Sequence, residues 1–170
     1  DNVVSLGSGE RAVVTTRMAE EGEPLKLLNG KEIELSADDI VIATDTKVIG
    51  LAGVMGGSET EVDENTKNII IECGTFDMYA IRRTSMRHGL FTEAVTRFNK
   101  GQSPLQNDRV LSKITDWLWG FAKGTLASPM YDSTNFDLQA DNLNHVIVKL
   151  NFINSRLGTV LEFADVKKLL

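Results

Sequence analysis

Hydrophobic and polar positions change period along the chain, and each change predicts an element. Residues 12–18 read AVVTTRM, rich in the β-branched side chains that suit a pleated, half-buried surface, and predict a strand. Lys26, Leu27 and Leu28 then meet Asn29-Gly30, the pair that closes a tight hairpin turn, so a hairpin is expected over 27–35. The runs IVIA at 40–43 and VIGLA at 48–52 flank Asp45 and Thr46 and read as a second hairpin. Three consecutive isoleucines in NIIIECGTF, 68–76, predict another buried strand, which charged Glu72 closes.

Beyond Asp77, an N-cap candidate, the apolar spacing becomes helical. Met78, Ile81 and Met86 lead to a stop at Gly89, and a second short helix is expected from Thr92 to Gly101. Pro104 precedes a longer helix whose Val110, Leu111, Ile114, Trp117, Leu118 and Phe121 recur at i, i+3, i+4, i+7 until Gly124. Such a stripe must dock on a sheet. Turn residues dominate 125–144, read as a strand and a linker. HVIVKL from His145 then predicts a strand, followed by a short helix and a second helix reaching Leu170. The expected class is α/β of an α+β-like kind, with layered mixed sheets, short hairpins and packed helices. One domain is expected over 1–144 and the start of a second over 145–170.

The 170 residues suffice to bury a core. A formal charge of −6 argues against nonspecific nucleic-acid binding through overall charge. The charge is unevenly spread: from Asp77 to Gly101, Arg82, Arg83, Arg87, Arg97 and Lys100 face only Asp77 and Glu93, a local +3 that leaves −9 for the rest. Such an island either meets phosphates or is a solvated helix face. No apolar run approaches the length of a membrane span, no signal-peptide pattern opens the chain, and one cysteine, Cys73, fits a reducing compartment. A cytoplasmic location follows as an expectation. A first residue that is not methionine reads as a piece of something longer.

Side-chain chemistry is sparse. His88 and His145 are far apart and no Cys-x-x-Cys occurs, so no metal site is expected. No nucleophile elbow accompanies Cys73 or any serine, so no catalytic side chain is assigned. The glycines Gly50, Gly53, Gly56 and Gly57 have three readings: a phosphate loop lacking its lysine, tight turns that tolerate no side chain, or bare backbone lining a pocket. Glu72 has two, because a carboxylate ending an apolar strand needs a partner. That partner is Arg82, Arg83 or Arg87, or else the hydroxyl of a ligand.

Read together, LAGVMGGSETEVDENTKNIIIECGTFD (51–77) and IRRTSMRHGLFTEAVTRFNKGQSP (81–104) resemble the central aminoacyl-editing domain of the bacterial-type phenylalanyl-tRNA synthetase beta subunit. The resemblance extends upstream through VVTTRMAEEGEPLKLLNGKEIEL, and the tail from His145 resembles the start of a following winged-helix-like domain. It implies a domain that hydrolyses tyrosine wrongly attached to phenylalanine tRNA. Glu72 then stands where the tyrosine hydroxyl is recognised, Gly56 and Gly57 at the pocket's backbone wall, and Thr92 and Ala94 on its far side. Arg82, Arg83 and Arg87 become candidates for guiding the tRNA. The rival is a noncatalytic tRNA-positioning or scaffold module. The resemblance further implies an alpha-subunit partner through the full-length beta subunit, and ATP and magnesium for the full synthetase but no cofactor in this segment. The family's editing histidine lies in a Pro-Leu-His-Ala-Phe-Asp segment expected just upstream of Asp1. The family's usual serine after Thr-Glu-Ala is Val95 here, and its acidic and arginine residues before the glycine are Asn99 and Lys100.

Overall fold

The computed structural model describes residues 2–5, 11–134 and 146–169. They fall into two compact units, 1–133 and 134–170. The first unit is built on antiparallel strands β1 (Asn2–Ser5), β2 (Arg11–Met18), β3 (Pro24–Lys26), β4 (Glu32–Glu34), β5 (Ile40–Ala43), β6 (Val48–Leu51) and β7 (Met55–Gly56). The main sheet has the order β1-β2-β5-β6-β7, and β3-β4 form a separate ribbon. Both expected hairpins form. Leu25 faces Ile33 across β3–β4, where the Asn29 side chain accepts from the Lys31 N–H at 3.0 Å. Val41 faces Leu51 across β5–β6, with a bulge between Ile42 and Ala43.

The ribbon is sewn to the β7 edge by a bridge between Leu27 and Gly57 and by the Leu28 N–H donating to the Gly56 carbonyl at 3.0 Å. Leu27, Leu35 and Val41 are thereby fully or almost fully buried. Gly57 is forced by this crossing: a Cβ there would sit 2.7 Å from the Ile49 carbonyl oxygen and 3.2 Å from Leu25. Its backbone, φ −80° and ψ 146°, suits any residue, so Gly57→Ala isolates the steric cost. That variant is expected to lose about 1–3 kcal/mol, as overpacking against unyielding backbone does, read as a lower melting temperature.

Helix α1 (Met78–His88) begins where expected, with the Asp77 carboxylate accepting from the Ala80 N–H at 2.7 Å, and ends at Gly89 in the left-handed region. Its face Ala80, Ile81, Thr84, Ser85 and His88 is buried. Helix α2 (Glu93–Phe98) follows directly, and α3 (Asn107–Ala122) comes after a short 3-10 turn at Pro104–Gln106.

Three expectations are corrected. Residues 68–76 form no strand: Ile69 and Ile70 are 48% and 43% exposed, because β propensity yields a ladder only where a neighbouring strand supplies hydrogen bonds, and none among the described residues does. Helix α3 has the expected stripe, yet none of its side chains is buried among the described residues, and Trp117, Trp119 and Phe121 are 55%, 71% and 87% exposed. It closes at Lys123, itself left-handed at φ 55°, one residue ahead of Gly124. Residues 125–134 and 146–149 carry no strand; the rest of the expected linker, 135–144, and His145 of the expected tail strand lie outside the described residues.

The second unit holds α4 (Leu150–Leu157) and α5 (Phe163–Leu169). Asn154 fastens the link between them: its amide donates to the Leu161 carbonyl at 2.9 Å and its Oδ1 accepts from the Leu161 N–H at 2.8 Å.

Candidate functional site

Glu72 lies in the irregular stretch between the sheet and α1. It forms no ion pair with Arg82, Arg83 or Arg87, so the salt-bridge reading of the sequence is not realised. The residue is exposed while its carboxyl is crowded, and this burial pushes the carboxyl above the ordinary carboxylate range, an effect the Gly74 backbone N–H partly offsets. The crowding is visible at Gly74, where a Cβ would stand 2.5 Å from Glu72 Oε1 and 2.5 Å from the Phe76 ring. Burial also raises the neighbouring Cys73 thiol, with the Glu72 charge adding to it. Cys73 is half-buried and reduced.

From Glu72 the contacts run inward. The Phe76 ring packs against that of Phe98 at 5.6 Å between centroids, and it also approaches Gly53, where a Cβ would meet it at 3.3 Å. The next residue, Val54, offers its carbonyl to the Thr92 hydroxyl at 2.9 Å, and Thr92 Oγ1 in turn accepts from the Val95 N–H at 3.2 Å. Thr92 is thus the N-cap of α2 and its anchor to the β6–β7 turn, with Ala94 half-buried in the first turn. Thr92→Val keeps the shape and removes both bonds. It is expected to cost about 1–3 kcal/mol for the lost cap and the orphaned carbonyl, measured by urea unfolding.

Phe76, the 53–54 turn and Thr92 therefore lie together, with the Glu72 carboxyl and the Phe76 ring both close to Gly74. Gly56 and Gly57 belong to the adjoining β7 edge. Gly57 borders a cavity of about 220 Å³ with Leu25, Lys47, Ile49 and Glu59, and none of Glu72, Thr92 and Ala94 lines it. Among the described residues, no group of three or more His, Cys, Asp or Glu is placed to hold a metal ion.

The basic island divides. Arg82 and Arg83 are exposed, whereas Arg87 is clasped to acid side chains, its guanidinium 2.5 Å from Asp39 and 3.5 Å from Asp38. Asp39 is wholly buried and was not singled out by sequence reasoning. Besides Arg87 it accepts from the Thr84 hydroxyl at 2.7 Å, from the Ser36 N–H at 2.9 Å and from His88 Nε2 at 2.6 Å. An ionised carboxylate only accepts, so Nε2 carries the proton. Burial pushes the Asp39 carboxyl up, but the bonds from His88, Ser36 and Thr84 outweigh it and hold the carboxyl below its usual range.

The B3/4 domain family matches residues 8–123, and the chain belongs to it. Its similarity is to phenylalanine–tRNA ligase beta subunits. It is 37% identical to that of Streptococcus thermophilus (strain CNRZ 1066) over 161 residues, which is 93% of this chain and 19% of the relative. It is 38% identical to that of Protochlamydia amoebophila (strain UWE25) over 162 residues, 95% of this chain and 20% of the relative. The chain thus spans about a fifth of the length of these relatives, and the resemblance read from its motifs is borne out. No helix among the described residues is long and apolar enough to cross a membrane.

Proposed function

We propose that this chain is an editing module of a phenylalanine–tRNA ligase beta subunit, hydrolysing the ester that joins tyrosine wrongly to phenylalanine tRNA. The observation that carries the proposal is Glu72: a crowded carboxyl without a basic partner among the described residues, close to Gly74 as is the Phe76 ring that reaches the 53–54 turn. Beyond the bond from the Gly74 N–H, such a group keeps acceptor capacity that the phenol of tyrosine fills and phenylalanine does not. A site built to bond a hydroxyl rejects the analogue lacking it by about 10⁴ to 10⁵, because its own polar group stays unpaired. Gly56 and Ala94 then present backbone and a small side chain to the substrate.

The reaction needs no protein nucleophile. Water attacks the ester carbonyl, polar groups stabilise the developing oxyanion, and tyrosine and the tRNA terminal hydroxyl leave as separate products. In the full ligase, ATP, magnesium and the alpha subunit serve the charging reaction, in the cytoplasm, and the second unit opens a winged-helix-like domain. The scaffold reading draws on Gly57, which strand crossing alone accounts for, and on Arg87, which Asp39 engages. The test is deacylation: the full-length polypeptide that carries this chain is mixed with phenylalanine tRNA bearing tyrosine. Release of tyrosine is expected, and none from folded protein favours the scaffold.

A further inference from the structure

Two routes of hydrogen bonds reach Thr92, and both start at residues 39 and 40. On the first, the Ile40 carbonyl accepts from the Ala52 N–H at 3.0 Å, and two residues on the Val54 carbonyl accepts from the Thr92 hydroxyl at 2.9 Å. The second starts at the Asp39 carboxylate. It accepts from the Thr84 hydroxyl at 2.7 Å and from His88 Nε2 at 2.6 Å, both on the buried face of α1, and from Arg87 beside them at 2.5 Å. The Lys31 ammonium closes the same turn by donating to the His88 carbonyl. Past the Gly89 cap, Ser85 holds Leu90 twice: its carbonyl accepts from the Leu90 N–H at 2.9 Å, and its hydroxyl donates to the Leu90 carbonyl at 2.5 Å. Thr92 stands two residues further on and opens α2.

Directional bonds therefore set where the end of α1 lies. An apolar contact tolerates sliding, whereas donors converging on one fixed carboxylate do not. Asp39 is itself fixed: its N–H donates to the Ser36 carbonyl at 2.8 Å, its carbonyl accepts from the Ala19 N–H at 2.8 Å, and its carboxylate accepts from the Ser36 N–H at 2.9 Å. Stability alone gives no reason for this choice, because well-packed apolar residues of similar volume often match a buried ion pair. Position does give one, since a displacement of about 1 Å near a reacting ester costs about a hundredfold in rate. We infer that Asp39 is a positioning residue for the hydrolytic site. Through Thr84, Arg87 and His88 it fixes the last turn of α1, and through Ser85 and Leu90 the entry of α2, so that Thr92 and Ala94 keep their place against the glycine turn. The effect on hydrolysis rests on the proposed function; the coupling of Asp39 to α2 rests on the hydrogen bonds alone.

Three variants of the full-length polypeptide that carries this chain test the inference. Asp39→Asn keeps the volume and removes the charge, Thr84→Val keeps the shape and removes one donor, and Thr84→Ser keeps that donor. Hydrogen exchange is read by mass spectrometry on peptides covering 40–54 and 89–98. Asp39→Asn and Thr84→Val are expected to speed exchange in 89–98 about tenfold and leave 40–54 unchanged, with Thr84→Ser close to the parent. Tyrosine release from mischarged phenylalanine tRNA is measured where circular dichroism shows every variant folded. For the first two variants kcat should fall about tenfold with KM within about twofold of the parent, and Thr84→Ser should keep the parent's kcat. Exchange that rises equally in both segments, or in neither, overturns the coupling. An unchanged kcat in a variant whose 89–98 segment has loosened overturns the positioning role. A parent that releases no tyrosine contradicts the editing reading instead, and the exchange arm still decides whether Asp39 sets the entry of α2.

Discussion

Glu72→Ala is expected to lower selective release of tyrosine from mischarged tRNA while leaving the melting temperature of the protein within about 2 °C of the parent. Among the described residues the carboxyl has no ion-pair partner to strand, and the Gly74 N–H loses an acceptor. A hydrogen bond to a charged group is worth about 1.5–3 kcal/mol, so tyrosyl-ester hydrolysis falls by roughly ten- to a hundredfold relative to any residual activity on phenylalanyl ester. Had Glu72 been paired with an arginine, its removal would have left a charge uncompensated and cost about 3–5 kcal/mol of stability. Melting and deacylation on the same variant separate the two: a large drop in melting temperature with discrimination retained contradicts the pocket.

Asp39→Ala is expected to be the most destabilising substitution in the first unit. It removes the shared acceptor of Arg87, His88, Thr84 and the Ser36 N–H, leaving the buried His88 ring and Thr84 hydroxyl without their acceptor and Arg87 with Asp38 alone at 3.5 Å. Breaking such a buried pair costs about 3–5 kcal/mol, or roughly 10–15 °C of melting temperature for a unit of this size. The pH dependence has a fixed sign. The Asp39 carboxyl is held below its usual range when folded, so the unfolded chain binds its proton more readily. Its stabilisation is complete above about pH 4 and drains away as pH falls through the lower folded value. Urea unfolding between about pH 6 and pH 3 should show the parent losing stability and Asp39→Asn losing less.

The elements legible in the sequence are those whose signals are local. Asn29-Gly30 sets its own turn, Asp77 caps α1 through Ala80 three residues on, and Thr92 does the same for α2. Misread elements depend on partners far along the chain. The isoleucines at 69–71 have strand chemistry, but a strand requires a second backbone to pair with. The α3 stripe has the period of a core helix, yet period does not name the surface it meets. Asp39 left no trace because it reads as one of two acids in a loop, while Thr84, Arg87 and His88 lie 45, 48 and 49 residues away.

The site was legible in a similar proportion. The oddity of a carboxylate after three isoleucines marked Glu72, and the Thr-Glu-Ala motif marked Thr92. The hydroxyl of Thr92 turns out to hold Val54, a role no spacing rule expresses. The basic island was legible as charge alone. Its division into a clasped Arg87 and open Arg82 and Arg83 needed the position of Asp39.

The most direct measurement of the central claim is an experimental structure of the protein soaked with tyrosine. The phenol oxygen is expected about 2.5–3.0 Å from a Glu72 carboxylate oxygen, with the amino acid between the Phe76–Gly53 contact and the first turn of α2, and no such occupancy with phenylalanine. Tyrosine bound elsewhere, or bound there with Glu72 turned away from the phenol, contradicts it.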